Sequence, residues 1–99
     1  MYRWPWELHL INLILVLPKI LIVDDSKMIR MQVRDLLPRG NFEVCEAKDG
    51  VEGYALISQE HPNLVLLDFF MPHMSGWEVL QKIQTRPELQ TIPVVIMTG

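Results

Sequence analysis

A chain of 99 residues with 49% hydrophobic content suits one small domain with a sizeable core. Its formal net charge of −3, with Lys and Arg forming no cluster or stripe, weighs against nucleic acid as a direct partner. The single cysteine, Cys45, cannot form an internal disulfide, so a reducing, cytoplasmic setting is the default.

The opening residues 1–18, MYRWPWELHLINLILVLP, form a hydrophobic N-terminal extension distinct from the rest of the chain. Residues 8–17 are mostly aliphatic, broken by His9 and Asn12. That run is too short for a bilayer, which takes roughly 20 residues. A signal peptide would bring a basic start and a small-residue cleavage site, and neither is convincing. Membrane-surface attachment is the lesser reading; an extra core element or an oligomer contact is the better one. Trp4 and Trp6 are expected to anchor the extension to the fold or to a second subunit.

From Lys19 the pattern is regular. KILIV reads as a strand buried on both faces. Asp24, Asp25 and Ser26 favour a helix start, and Ile29, Val33, Leu36 and Leu37 recur at helical spacing until Pro38 and Gly40 stop them. Residues 42–47 give a second strand, closed by Asp49-Gly50, and residues 51–60 a second helix, ended by His61-Pro62. NLVLL is the third strand. Ser75 and Glu78 have capping-box spacing ahead of a helix whose apolar side is Val79, Leu80 and Ile83. Residues 93–98 are a fourth strand. The order β-α-β-α-β-α-β with short connections implies an α/β, doubly wound parallel sheet, with ligands expected at the carboxyl ends of the strands.

Asp24 and Asp25 follow the first strand, Asp68 the third, and Thr98 ends the fourth. Carboxylates brought together repel unless a cation sits between them. An all-oxygen site of this charge suits a hard divalent ion, most plausibly Mg²⁺. A carboxylate facing such an ion can attack phosphorus and become an acyl phosphate, with Thr98 donating to a phosphoryl oxygen. Each feature alone has a plainer reading: the Asp pair as helix cap and dipole partner, Asp68 as turn former, Thr98 as a strand residue. Their joint placement favours the chemistry.

Residues 19–99 resemble the receiver domain of two-component response regulators. The matching segments are KILIVDDS, AKDGVEG, NLVLLDFFMPHMSG and PVVIMTG. The resemblance implies a flavodoxin-like fold and a phosphoacceptor domain of phosphorelay signalling, not an enzyme in the ordinary sense. It further implies that a histidine kinase or phosphotransfer protein phosphorylates Asp68. Mg²⁺ would be bound through Asp25, Asp68 and the backbone carbonyl of Phe70, with Asp24 acting through water or through contacts to the ligands. Thr98 would be the switch hydroxyl, and Met71-Pro72 and Gly76 would shape the loop under the site.

The resemblance stops after the fourth strand, so the fold is expected to be incomplete, lacking the fifth strand and the lysine the family carries there. Lys19 lies at the opposite end from the site, and Lys27 is expected to face solvent. The extension is a candidate cover for the open sheet edge, as an extra strand or a helix; the nearly unbroken apolar run does not choose between them. A homodimer, including one with exchanged elements, is expected. The alternative function is a phosphorylation-deficient binding or dimerisation module. A fragment without an independent role is a third reading. A metal-dependent phosphatase is disfavoured because Phe70 stands where a second acid belongs. His9, His61 and His73 share no metal-ligand spacing. Cys45 and Trp77 are expected to be packing residues.

Overall fold

The computed structural model describes residues 17–97. The strand-or-helix question for residues 8–17 therefore falls, apart from Leu17, outside the described residues, as do Trp4, Trp6, His9 and Thr98. Seven elements alternate: β1 (Lys19–Val23), α1 (Lys27–Leu36), β2 (Glu43–Ala47), α2 (Gly50–Glu60), β3 (Leu64–Asp68), α3 (Gly76–Gln84) and β4 (Val94–Met97).

Local chemistry sets the boundaries. Of the three residues expected at the first helix start, Ser26 is the cap, its hydroxyl accepting from the Ile29 amide at 3.2 Å. Leu37 is extended (φ −68, ψ 139), as the residue before a proline must be, so α1 ends one residue earlier than the apolar spacing suggests. Asp49 caps α2, and His61 closes it in the left-handed region at φ 46, directly before Pro62. At α3 the capping box forms as the spacing indicates, Ser75 Oγ accepting from the Glu78 amide and Glu78 accepting from the Ser75 amide. Phe42 and Asn63 lie just outside their strands, whereas Asp68 is the last residue of β3.

All strand pairs are parallel, in the order β2-β1-β3-β4. The chain leaves β1 first towards β2 and later towards β3, so the topological switch point lies between β1 and β3, where such sheets bind ligands. The registers align Leu21 with Val65 and Val94, and Val23 with Leu67 and Ile96. One face of this lattice packs with Ile57 of α2, Val79 and Ile83 of α3, and Leu89 of the segment leading to β4. Leu21, Val23, Val65 and Leu67 are at most 1% exposed. A methyl group on Gly53 would come within 2.8 Å of Val23 Cγ1, so glycine there lets α2 lie close on β1.

The other face carries α1 and is packed differently. Among the described residues α1 buries none of its own, and Leu36, which the spacing assigned to its apolar stripe, is 83% exposed. Val95 of β4 is half exposed. Here α1 is tied to β2 by charge: Glu46 accepts from Arg30 Nε at 2.9 Å and from Arg34 Nη2 at 2.8 Å.

Candidate metal centre

The carboxyl ends of β1 and β3 bring Asp24, Asp25 and Asp68 together, with one carboxylate oxygen of each lying within 4.8 Å of the others. The strands explain this: Val23 pairs with Leu67, so the residues that follow them, Asp24 and Asp68, lie side by side at the end of the sheet. Asp24 is buried, Asp68 half-buried and Asp25 exposed. They border a cleft of about 350 Å³ that Ser26, Ile29, Val33 and Met97 complete.

Two of the carboxylates share one local geometry. Asp24 Oδ1 accepts from the amide of Ser26 at 2.8 Å, and Asp68 Oδ1 accepts from the amide of Phe70 at 3.1 Å, each two residues on. Burial, countered by the Ser26 amide and reinforced by the charges of Asp68 and Asp25, holds the Asp24 carboxyl above the ordinary aspartate range. No cationic side chain forms an ion pair with any of the three among the described residues. Three oxygen ligands of like charge, one of them desolvated, fit a hard divalent cation. Magnesium satisfies that requirement.

The loop after Asp68 is pinned from below. The Gly76 amide donates to the Phe69 carbonyl at 2.9 Å. A Cβ on Gly76 would lie 2.8 Å from Phe69 Cα and closer still to the Asp68 carbonyl oxygen. Met71 is 8% exposed and anchors the loop in the core, while Phe70 is 72% exposed at the rim.

The structure thus brings together Asp24, Asp25 and Asp68, and sets Phe70 beside Asp68 through its amide. Lys19 pairs with Glu60 at 3.1 Å at the far end of β1, as its position implies, and Lys27 is exposed. Cys45 packs half-buried at the core's edge. His73 is exposed with φ 67. Trp77, expected to pack, is 54% exposed on the first turn of α3. The residue that sequence reasoning missed is Arg30, whose Nη1 donates to the Asp24 carbonyl at 2.7 Å. Its signal was available in outline: Arg30 and Arg34 are four apart on one helix, and Glu46 interrupts the interior of the following strand. A larger groove of about 530 Å³ beside α3, lined by Val51, Met74 and Lys82 among others, gathers no comparable set of like ligands.

A doubly wound parallel sheet with an acidic triad at its switch point defines a class of signalling and metal-dependent phosphoryl-handling domains. Within it, residues 20–99 match the model of the response regulator receiver domain, and the chain belongs to that family. The fold is similar to the N-terminal domain of a response regulator receiver protein from Methanoculleus marisnigri JR1, with TM-score 0.76 and 41% identity over 84% of this chain and 68% of that one. It is also similar to the phosphorylated cyanobacterial phytochrome response regulator RcpA, with TM-score 0.73 and 34% identity over 82% of this chain and 64% of that one. Protein PilH of Pseudomonas aeruginosa is 36% identical over 80 residues, 81% of this chain and 66% of the relative. The chain spans about a third to two thirds of the length of the curated relatives it matches. Receiver domains are signal-transduction modules of two-component systems that work with histidine kinases or phosphotransfer proteins. They generally bind Mg²⁺ in an acidic pocket. No helix among the described residues is long and apolar enough to cross a membrane.

Proposed function

We propose that this receiver domain, residues 19–99, accepts a phosphoryl group on Asp68 with Mg²⁺ at the acidic cluster. The observation that carries the reading is the convergence of three carboxylates within 4.8 Å at the switch point, Asp68 being the one both half-buried and turned to the cleft. Asp25, Asp68 and the Phe70 carbonyl are the ligands of choice, and Asp24, buried and bent over its own loop, acts through water. Bound Mg²⁺ would offset the repulsion among the carboxylates and the charge of the incoming group.

In the transfer, an Asp68 carboxylate oxygen attacks phosphorus of a phosphohistidine; the P–O bond forms as the P–N bond breaks, and the electron pair stays with the imidazole. The Phe70 amide holds the other carboxylate oxygen, which fixes the attacking one. Thr98 comes directly after Met97, the residue that pairs with Asp68, and supplies the hydroxyl donor. A cytoplasmic setting suits such a module. Val95 and Ile96, exposed on β4, an edge strand among the described residues, favour self-association as a homodimer.

Intact mass after incubation with acetyl phosphate and Mg²⁺ tests the reading. One phosphoryl increment is expected on the wild type and none on Asp68→Asn. A folded wild-type chain that binds Mg²⁺ and gains no mass would favour a phosphorylation-deficient binding module.

A further inference from the structure

Asp24 has a partner for its amide, its carbonyl and one carboxylate oxygen. Its N–H donates to the Ala47 carbonyl at 3.1 Å, its Oδ1 accepts from Ser26, and its carbonyl accepts from Arg30 Nη1 at 2.7 Å. That carbonyl belongs to the peptide plane joining Asp24 to Asp25. Whatever holds it sets the direction in which Asp25 leaves the chain. Arg30 is in turn held by Glu46 of β2 through Nε, and its side chain is only 14% exposed. A planar guanidinium with fixed forks suits this two-point bridge.

Arg34 supplies an internal comparison. It binds the same Glu46 at 2.8 Å and the Val44 carbonyl at 3.3 Å, but is 47% exposed and makes no bond to the acidic loop. The two arginines therefore share a carboxylate and differ in whether they touch the site.

We propose that Arg30 is a positioning residue for the divalent-cation site: it clamps the Asp24–Asp25 peptide plane onto β2 through Glu46 and so pre-orients the two carboxylates. The inference rests on the reading that the cluster binds Mg²⁺. Its sign is diagnostic. A guanidinium acting only through its charge would repel a cation, and removing it would tighten binding. One acting by orientation strengthens binding, as groups that support metal ligands do, at ten- to a hundredfold in affinity when removed.

The test is calorimetric titration of the full chain with MgCl₂ for wild type, Arg30→Met, Arg30→Lys and Arg34→Met, with thermal melts of each metal-free protein. Arg30→Met should bind Mg²⁺ on the order of tenfold more weakly. Arg30→Lys should recover part of the loss, since an ammonium reaches one acceptor well but lacks the planar fork. Arg34→Met should stay within about twofold of wild type, although it removes an ion pair to the same glutamate. Unchanged or tighter binding by Arg30→Met overturns the proposal, as does equal weakening by Arg34→Met. Should Arg30→Met fail to fold, Arg30→Lys carries the test: affinity equal to wild type overturns the clamp. A folded wild type that binds no Mg²⁺ overturns the metal reading itself, and the clamp with it.

Discussion

The two faces of the sheet are built on different physics. The face under α2 and α3 is an apolar lattice in which Leu21, Val23, Val65 and Leu67 touch almost no water. The face under α1 buries Ile22 but is otherwise held by two arginines on one glutamate, and it leaves Ile29, Leu36 and Val95 in contact with solvent. Close packing transmits strain and tolerates little change in volume, whereas partly exposed ion pairs contribute modestly to stability. The rigid face therefore supports Asp68 from below, and the softer face borders the cleft where a partner must approach. Stability and access are divided between the two sides of one sheet.

The matched pair Val65 and Val95 tests that division most severely. Val65→Ala, at a site with no exposure, should lower stability by about 2.5 kcal/mol, and Val95→Ala, half exposed, by about 0.5 kcal/mol. Equal losses in urea denaturation would break the comparison.

Gly76→Ala probes how rigid the support is. The added methyl would crowd the main chain of Asp68 and Phe69, so α3 and the loop must part at a cost of about 2 kcal/mol. Phosphoryl uptake by Asp68 should fall with it; a full-rate variant would show that the loop is not fixed by this contact.

The Asp24 carboxylate gives an effect of the opposite sign. Because the folded-state carboxyl of Asp24 titrates above its ordinary value, Asp24 favours the fold at low pH and opposes it as pH rises from the usual aspartate range through the folded value. Partial burial pushes Glu46 up, but the hydrogen bonds from Arg30 and Arg34 outweigh it and hold it below its ordinary value. Its contribution is therefore present above the glutamate range and lost as pH falls through the folded value. Asp24→Asn should raise the stability of the metal-free protein at pH 7, with no gain at pH 3, while weakening Mg²⁺ binding. A loss of stability at pH 7 would show that burial and repulsion there are already offset.

Much of this was legible in the sequence because the signals are local. Apolar runs end at Asp-Asp, Asp-Gly and Asp-Phe, the capping box announces α3, and acids at two strand ends must meet once the sheet is parallel. What was hidden depends on neighbours. Leu36 fits an apolar period, but no spacing says whether anything packs on it. EVCEA reads as a strand with a glutamate on each side; only the pairing of Glu46 with Ile22, on the face that α1 covers, makes Glu46 an anchor. Trp77 is apolar by type and lies on the outer side of its helix, where composition alone could not put it.

The i-to-i+2 loops of Asp24 and Asp68 also constrain how the site can be imitated. A side chain with its carboxyl directly on Cβ just reaches the amide two residues on, which is why Asp and Asn form this turn and Glu does not. At position 68 asparagine keeps the shape and discards the charge, and glutamate keeps the charge and discards the shape. A glutamate there would thus be a poor counterfeit of the proposed phosphoaspartate, because it dismantles the turn from which that group would be presented.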